Sequence, residues 1–321
     1  MSELAFIFPG QGAQFIGMGR SLADSYKEAH EVFEAVDEAL GEKLTDIMWA
    51  EGSEAALTLT SNTQPALMAV SLAAMAALQE SHGLSIEMAK YVAGHSLGEY
   101  SALCAAGALS LADTAKLLRT RGEAMQAAVS PGEGAMAALL GADEDQAEAA
   151  CQAGRATSGG VCEIANDNAP GQLVLSGHHS AIEAACVYAR ENGVKKAVPL
   201  AVSAPFHCSL MSPAADKMAD ALARVKIHAP KIPIIANIAA NALTEPDEIR
   251  AALIAQVTGR VRWRESVAFM VENGITWTVE AGAGKVLTVM NRRNHRALIG
   301  KTAGTPVELT ALAEFIKDTH K

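Results

Sequence analysis

The apolar run Leu4 to Phe8 stops at Pro9-Gly10-Gln11-Gly12, which predicts a buried strand broken into a tight loop. Leu22, Tyr26, Ala29, Phe33, Val36 and Leu40 then recur at helical spacing, the apolar stripe of an amphipathic helix. A second helix is expected to open near Pro65, where proline suits the first turn, and to run to about Ser81. Tyr91 to Ala93 reads as a short strand before Gly94, and Leu97 to Ala105 as a helix. Ser110 with Asp113 forms an S-x-x-D cap for another helix reaching about Val129.

From residue 134 to 203 the rhythm changes. Strand (Ala135 to Leu140), helix (Glu144 to Gln152), strand (Val161 to Ala165), strand (Leu173 to Ser176), helix (Ser180 to Asn192) and strand (Lys196 to Val202) make a β-α-β-β-α-β order, which is ferredoxin-like. In that topology the first and last strands are antiparallel neighbours, so the chain leaves close to where it entered. The expected division is therefore one large α/β domain of residues 1–131 and 205–321, interrupted by a small α+β insert at 132–204. The large domain resumes with a helix opened by Ser212-Pro213 and a strand at Ile232 to Ile238. Helices near 246–257 and 263–272, strands at Ile275 to Val279 and Ala297 to Ile299, and a last helix from about Pro306 follow. Helices between short buried strands imply a mostly parallel sheet covered on both faces.

Composition narrows the partners. Half of the 321 residues are hydrophobic and 19% are charged, enough for a sizeable core and unlike a disordered chain. A formal net charge of -10 repels phosphate backbones and anionic headgroups, so neither nucleic acid nor a membrane is expected as the main partner. Five cysteines (Cys104, Cys151, Cys162, Cys186, Cys208) without a C-x-x-C spacing argue against a disulfide framework or a zinc site and read as reduced, buried thiols. Leu4 to Phe8 is too short for a signal segment and Leu67 to Leu78 too short to span a bilayer, so a cytoplasmic protein is expected.

Gly94-His95-Ser96-Leu97-Gly98 is a G-x-S-x-G sequence between an expected strand and an expected helix, the context that makes a serine there an exposed nucleophile. Its hydroxyl needs a base, and nine histidines are available. His30, His82, His228 and His320 fall on helices or near polar ends of elements, His178 and His179 in a turn of the insert, and His295 in a basic loop. His95 adjoins the serine, but neighbours on a tight turn point apart. His207 lies where the insert returns the chain to the large domain and can reach the sheet edge; a structural histidine near a helix start is the other reading. Arg121 shares a helix face with Leu117, Leu118, Ala124 and Met125, whereas Arg119 falls toward solvent. A guanidinium on an apolar face must meet an anion, and two remain open: an internal carboxylate such as Glu99, or the carboxylate of a ligand. A tetrahedral oxyanion needs two fixed donors, for which the Leu97 amide and Gln11 in the glycine loop are the candidates.

Together, Phe8-Pro9-Gly10-Gln11-Gly12, Gly94-His95-Ser96-Leu97-Gly98-Glu99-Tyr100, Arg121-Gly122 and Pro205-Phe206-His207 resemble the malonyl-CoA:acyl carrier protein transacylases of fatty acid synthesis, in order from Phe8 to about Arg293. The resemblance implies an α/β-hydrolase-like large domain with a ferredoxin-like insert. It makes Ser96 the nucleophile, His207 its base, Arg121 the holder of the malonyl carboxylate, and Gln11 and Leu97 the oxyanion donors. Gln256, opening Gln256-Val257-Thr258-Gly259-Arg260-Val261-Arg262-Trp263, matches the glutamine whose main-chain carbonyl orients the histidine. Asn166 and Asn168 match an asparagine pair beside the cleft, and Phe206 and His95 are implied as cleft lining. Malonyl-CoA and acyl carrier protein are the implied partners. No cofactor of the enzyme's own is implied, since the CoA thioester is a substrate and phosphopantetheine is carried by the partner. Two departures bear on loop rigidity: Arg260 stands where the family commonly has proline, and Ala281-Gly282-Ala283-Gly284 replaces a Gly-Pro-Gly type loop.

An acidic carrier calls for basic residues near the cleft, for which Lys285, Arg292, Arg293 and Arg296 are the first candidates and Lys195 and Lys196 the second. Three other functions stand beside this reading. The serine elbow serves an esterase or thioesterase equally well, though Arg121 and the insert speak against one. A trans-acting acyltransferase of a polyketide synthase shares every motif. A silent carrier-binding scaffold would have no use for Ser96, His207 and Arg121 together.

Overall fold

A computed structural model describes residues 3–319; His320 lies outside the described residues. The chain opens with β1 (Leu4–Phe8), every residue of it buried. The single helix expected over Leu22 to Leu40 is two, α1 (Arg20–Ser25) and α2 (Lys27–Leu40), parted at Tyr26, whose φ of -131° is extended. The short helices α3 (Leu44–Trp49) and α4 (Glu54–Thr58) follow without having been expected. Next comes α5 (Thr60–His82), which begins before Pro65 and carries that proline inside. Of its first amides, Ser61 N donates to a side chain, Gln126 Oε1 at 2.8 Å, and Thr63 N already makes the regular helical bond to Leu59 O at 2.8 Å. The proline therefore removes a donor in the second turn.

The next elements are β2 (Tyr91–Gly94), α6 (Gly98–Ala105) and α7 (Leu111–Ala127), with Ser110 Oγ accepting from Asp113 N at 3.0 Å as the expected cap. Then β3 (Gly134–Leu140), α8 (Glu144–Ser158), β4 (Cys162–Ala169), β5 (Gln172–His178), α9 (His179–Glu191) and β6 (Lys196–Pro199) give the expected ferredoxin-like order. Their four-stranded sheet runs β4-β5-β3-β6, with β3 antiparallel to β6, and has its own apolar cluster around Leu139, Cys151, Leu175 and Ile182.

The remaining elements are α10 (Ser212–Ala223), β7 (Ile234–Ile235), β8 (Ala242–Leu243), α11 (Pro246–Gln256), α12 (Trp263–Glu272), β9 (Trp277–Ala281), α13 (Val286–Asn294), β10 (Ile299–Ala303) and α14 (Pro306–Thr319). The strand expected over Ile232 to Ile238 shrinks to β7, because Ala236 N turns to Asn241 O and Asn237 is drawn toward other partners. The segment read as a basic loop around His295 is mostly the end of α13.

The large sheet has the order β10-β9-β1-β2-β7-β8 and is parallel except between β7 and β8. Alternation along β1 sends Leu4, Phe6 and Phe8 into the cluster that contains much of α5 and α7. Ala5 and Ile7 face the opposite cluster, with Trp263, Val267 and Met270 of α12 and Leu287 and Met290 of α13. Both faces are covered, so the open end is the carboxyl edge of the central strands β1 and β2, where parallel α/β sheets place their sites. Among the described residues no helix is long and apolar enough to cross a membrane.

The small sheet is stitched to the loop between α11 and α12 through Val261, whose N donates to Ala165 O at 2.8 Å while its O accepts from Asp167 N at 2.9 Å. Arg264 grips the buried Asp167 carboxylate with Nε at 2.9 Å and an Nη at 2.7 Å. Arg260 is held by Glu144 at 2.7 Å and Glu265 at 3.2 Å, so carboxylates from two elements fix the loop where the resembled family has proline. In the other departing loop Gly282 has φ 132°, a conformation side chains do not tolerate.

Candidate active site

The strand-to-helix turn between β2 and α6 places Ser96 at φ 55°, in the left-handed region that non-glycine residues seldom enter. The flanking glycines are required by space: a Cβ on Gly94 would stand 1.9 Å from Gly98 O, and one on Gly98 would stand 2.3 Å from Phe8 O. The turn is held from below by Asn237, whose Oδ1 accepts from Ser96 N at 2.7 Å and whose Nδ2 donates to Gly94 O at 2.7 Å. His207 comes from the segment joining β6 to α10 and also has positive φ, 58°. Thr60 Oγ1 and Ser203 Oγ, 3.1 Å apart, tether that returning segment to the start of α5.

The two reach each other. Ser96 Oγ lies 2.7 Å from His207 Nε2, and His207 Nδ1 lies 2.9 Å from the main-chain O of Gln256. The carbonyl can only accept, so Nδ1 carries the proton and Nε2 is left as the acceptor for the serine hydroxyl. A carbonyl thus fills the place an acidic third member takes in other triads.

Arg121, 1% exposed, donates to Gln64 Oε1 at 2.8 Å, Gln256 Oε1 at 2.8 Å and Ser96 Oγ at 3.1 Å. Its Nε has no partner among the described residues, and the Tyr100 ring centre lies 5.7 Å from its Cζ. The internal ion pair with Glu99 left open by the sequence does not form; the two groups sit on opposite sides of the Gln256 carboxamide, whose Nε2 donates to Glu99 Oε2 at 2.7 Å. Arg119 does not run out to solvent: it bonds Asn62 and pairs with Glu42.

Leu97 and Gln11 both line the cavity over Ser96. Among the described residues neither main-chain amide donates to another group of the protein, while the Gln11 side-chain Nε2 faces Thr60 Oγ1 at 3.3 Å. For Gln11 the main-chain N–H is therefore the donor still available. His95 turns away from the hydroxyl: its Nε2 lies 2.8 Å from Asn168 Oδ1 and its ring packs against Trp263 at 5.7 Å. Asn166, Phe206 and His95 line the same cavity, of about 480 Å³.

Burial, and then the Arg121 charge, push the His207 imidazole down to about 3. It is neutral, with a free lone pair, throughout the physiological range. Burial also lowers Arg121, but a guanidinium is too basic to lose its proton there. The site is a neutral hydroxyl–imidazole pair beside a fixed, desolvated cation.

Gln64 and Asn237 are the site residues that sequence reasoning missed. Both are deeply buried, 1% and 0% exposed respectively; Asn237 is a lone polar side chain in an apolar stretch, so the argument that singled out Arg121 applies to it, whereas Gln64 ends the polar run Thr60 to Thr63 and carries no such signal.

Residues 5–311 match the family model of the acyl transferase domain. The malonyl CoA-acyl carrier protein transacylase of Bacillus subtilis is 43% identical over 100% of this chain and 99% of its own, and that of Escherichia coli K12 is 41% identical over 98% and 100%. The crystal structure of the acyl-carrier-protein S-malonyltransferase of Bartonella henselae superposes with a TM-score of 0.95 at 51% identity, covering 99% of this chain and 100% of that one. A malonyl-transacylase solved in complex with a type II polyketide acyl-carrier protein gives 0.93 at 37% identity, with 98% and 99% covered.

A base already neutral at low pH has a simple signature. Phosphonylation of Ser96 by an uncharged reagent should change less than about twofold between about pH 5.5 and 8, where an ordinary histidine near 6.5 would lose about tenfold at the acid end. Rates followed by intact mass check this.

Proposed function

Because this chain belongs to the acyl transferase domain family, we propose that it moves malonyl groups from malonyl-CoA to the phosphopantetheine thiol of acyl carrier protein through an ester on Ser96. The observation that carries the reading is Arg121: a buried guanidinium 3.1 Å from the Ser96 hydroxyl whose bonded partners are all neutral oxygens. A thioester ending in a carboxylate supplies what that cation lacks.

Malonyl-CoA enters with its carboxylate on Arg121 and its carbonyl oxygen toward the amides of Leu97 and Gln11. Ser96 Oγ attacks the thioester carbon while its proton passes to His207 Nε2, and the imidazolium is held by the Gln256 carbonyl. The C–S bond then breaks and CoA leaves as the thiol, taking the proton from His207. In the second half the carrier's thiol gives its proton to His207, its sulfur attacks the ester carbon, and Ser96 leaves with the proton returned. Substrate binding also prepares the base. The Arg121 charge is one of the causes that hold His207 down, and a bound carboxylate offsets it, so malonyl binding raises the basicity of the imidazole that must act next.

The product supplies fatty acid synthesis, a role supported by the names of the relatives; feeding a polyketide synthase is the second reading, favoured by the likeness to the polyketide carrier complex. The reading includes the division into 1–131 with 205–321 and 132–204, supported by the small sheet's separate apolar cluster. A cytoplasmic location, where thiols such as its five cysteines stay reduced, belongs to it too.

For carrier docking, the first set of basic residues has the stronger support. Lys285, Arg292, Arg293 and Arg296 are exposed, Arg293 bonds Gln172 of the cavity wall at 2.9 Å, and the exposed apolar Val286 and Val289 lie among them. Lys195 and Lys196 sit at the start of β6, away from its cavity end at Leu200.

Brief exposure to malonyl-CoA should add one malonyl group to the intact mass, and Ser96→Ala should add none; an unmodified parent would refute the reading. Arg121→Ala should erase the preference for malonyl-CoA over acetyl-CoA, a missing partner of this kind being worth on the order of 10⁴ in discrimination; selectivity measured by competition would show it. Reversing charge at Arg293 and Lys285 should raise KM for the carrier and leave that for malonyl-CoA alone, and equal effects on both would count against docking there.

A further inference from the structure

Glu99, on the first turn of α6, is 1% exposed and lies beneath the serine turn. Its hydrogen bonds come from two neutral donors, Gln256 Nε2 at 2.7 Å and Asn237 N at 3.1 Å, and both end on the same oxygen, Oε2. Gln256 is thereby clamped between opposite charges, its NH₂ on the Glu99 carboxylate and its oxygen on the Arg121 guanidinium at 2.8 Å. The reversed carboxamide would set hydrogens against a cation and an oxygen against an anion, so both charges select one orientation. The main-chain carbonyl of this glutamine orients His207, and Asn237, the other residue on Glu99, holds the amide of Ser96. Two neutral amides thus lead from one carboxylate to the Ser96 amide, the His207 imidazole and the Arg121 guanidinium.

We propose that Glu99 is the positioning residue of this site and the internal counter-anion of Arg121, acting through the Gln256 carboxamide and sharing the guanidinium with the incoming carboxylate of the substrate. This rests on the malonyl-transfer reading above.

The charge of Glu99 is adjustable while its hydrogen bonds are not. Burial raises its carboxyl to about 7 against the pull of Gln256, Asn237 and Arg121. The titratable groups around it do not change state there: Arg121 on α7 stays cationic, Tyr100 on α6 is pushed up to about 12, and His207 and His95 are held neutral by burial. A proton on Oε1 leaves Oε2 accepting both bonds, so titration removes the charge alone. Ionised Glu99 competes for Arg121 and loosens its hold on the malonyl carboxylate; protonated Glu99 yields the cation to the substrate.

The test is the second-order rate of Ser96 malonylation by malonyl-CoA, with acetyl-CoA in parallel, followed by rapid quench and intact mass. In the parent the malonyl rate should fall about threefold or more as pH rises from about 6 to 8.5. Glu99→Gln, whose amide oxygen can accept both bonds without a charge, should hold the parent's low-pH rate across that range. Glu99→Ala should lose at least about tenfold at every pH, and the malonyl preference with it, because the Gln256 NH₂ then loses its anionic partner and keeps the Ser96 carbonyl at 3.0 Å. A Glu99→Gln profile that superimposes on the parent's overturns the proposal, as does a Glu99→Ala protein of parental melting temperature that keeps rate and preference. If Glu99→Ala does not fold, the glutamine profile decides. A parent that never forms malonyl-serine overturns the functional reading itself, so the two failures are told apart by the parent.

Discussion

Removing a guanidinium from water without an anion in contact with it costs several kcal/mol, and this protein bears that cost at its centre. Arg121 is as buried as the core leucines around it, and amide and hydroxyl oxygens are its hydrogen-bond acceptors. Elements distant in sequence are arranged to make the burial tolerable: α5 brings Gln64, α11 brings Gln256, and α6 brings Glu99 within electrostatic reach but not into contact. The fixed cation stands beside the serine hydroxyl, and after burial, the larger cause, it holds the proton affinity of the neighbouring imidazole low. The unpaired cation and the weakened base are two results of one desolvated arrangement.

The second dependence is topological. His207 stands where the chain returns from the small sheet, so the imidazole reaches the serine only if that sheet is seated correctly. The seating is polar and specific: the Val261 backbone extends β4, Arg264 grips Asp167, and Arg260 reaches Glu144. The site is assembled at the junction of two sheets, and these contacts fix the geometry across it.

Much of this could be read from residue order, and the parts that could not share a physical reason. Ser96, His207 and Arg121 were legible because each breaks a local rule: a serine between glycines at a strand end, a histidine at a topological return, a cation in an apolar stripe. The ferredoxin-like order was legible because its elements are long and regularly spaced. Helices α3 and α4 were not, being too short to show a period, and Pro65 misled because a proline reads as a helix start unless the preceding amides have acceptors elsewhere, as Ser61 has in Gln126. Strand β7 ended early because Asn237 turns toward Glu99 and Ser96, a competition among side chains that no window of residues displays. Gln64, at the end of a polar run, and Asn237, a polar residue in an apolar one, went unnoticed. Amides attract less notice than charges in a sequence, yet here they hold the charges in place.

The two side chains that meet over the cavity sit on the backbone's least comfortable positions, φ 55° at Ser96 and φ 58° at His207. Each such residue stores on the order of 1 kcal/mol that glycine would release. A descendant of this chain relieved of turnover could relax either hinge and become sturdier for it. Endurance and chemistry therefore pull the same pair of dihedral angles in opposite directions, and the folded state records which one prevailed.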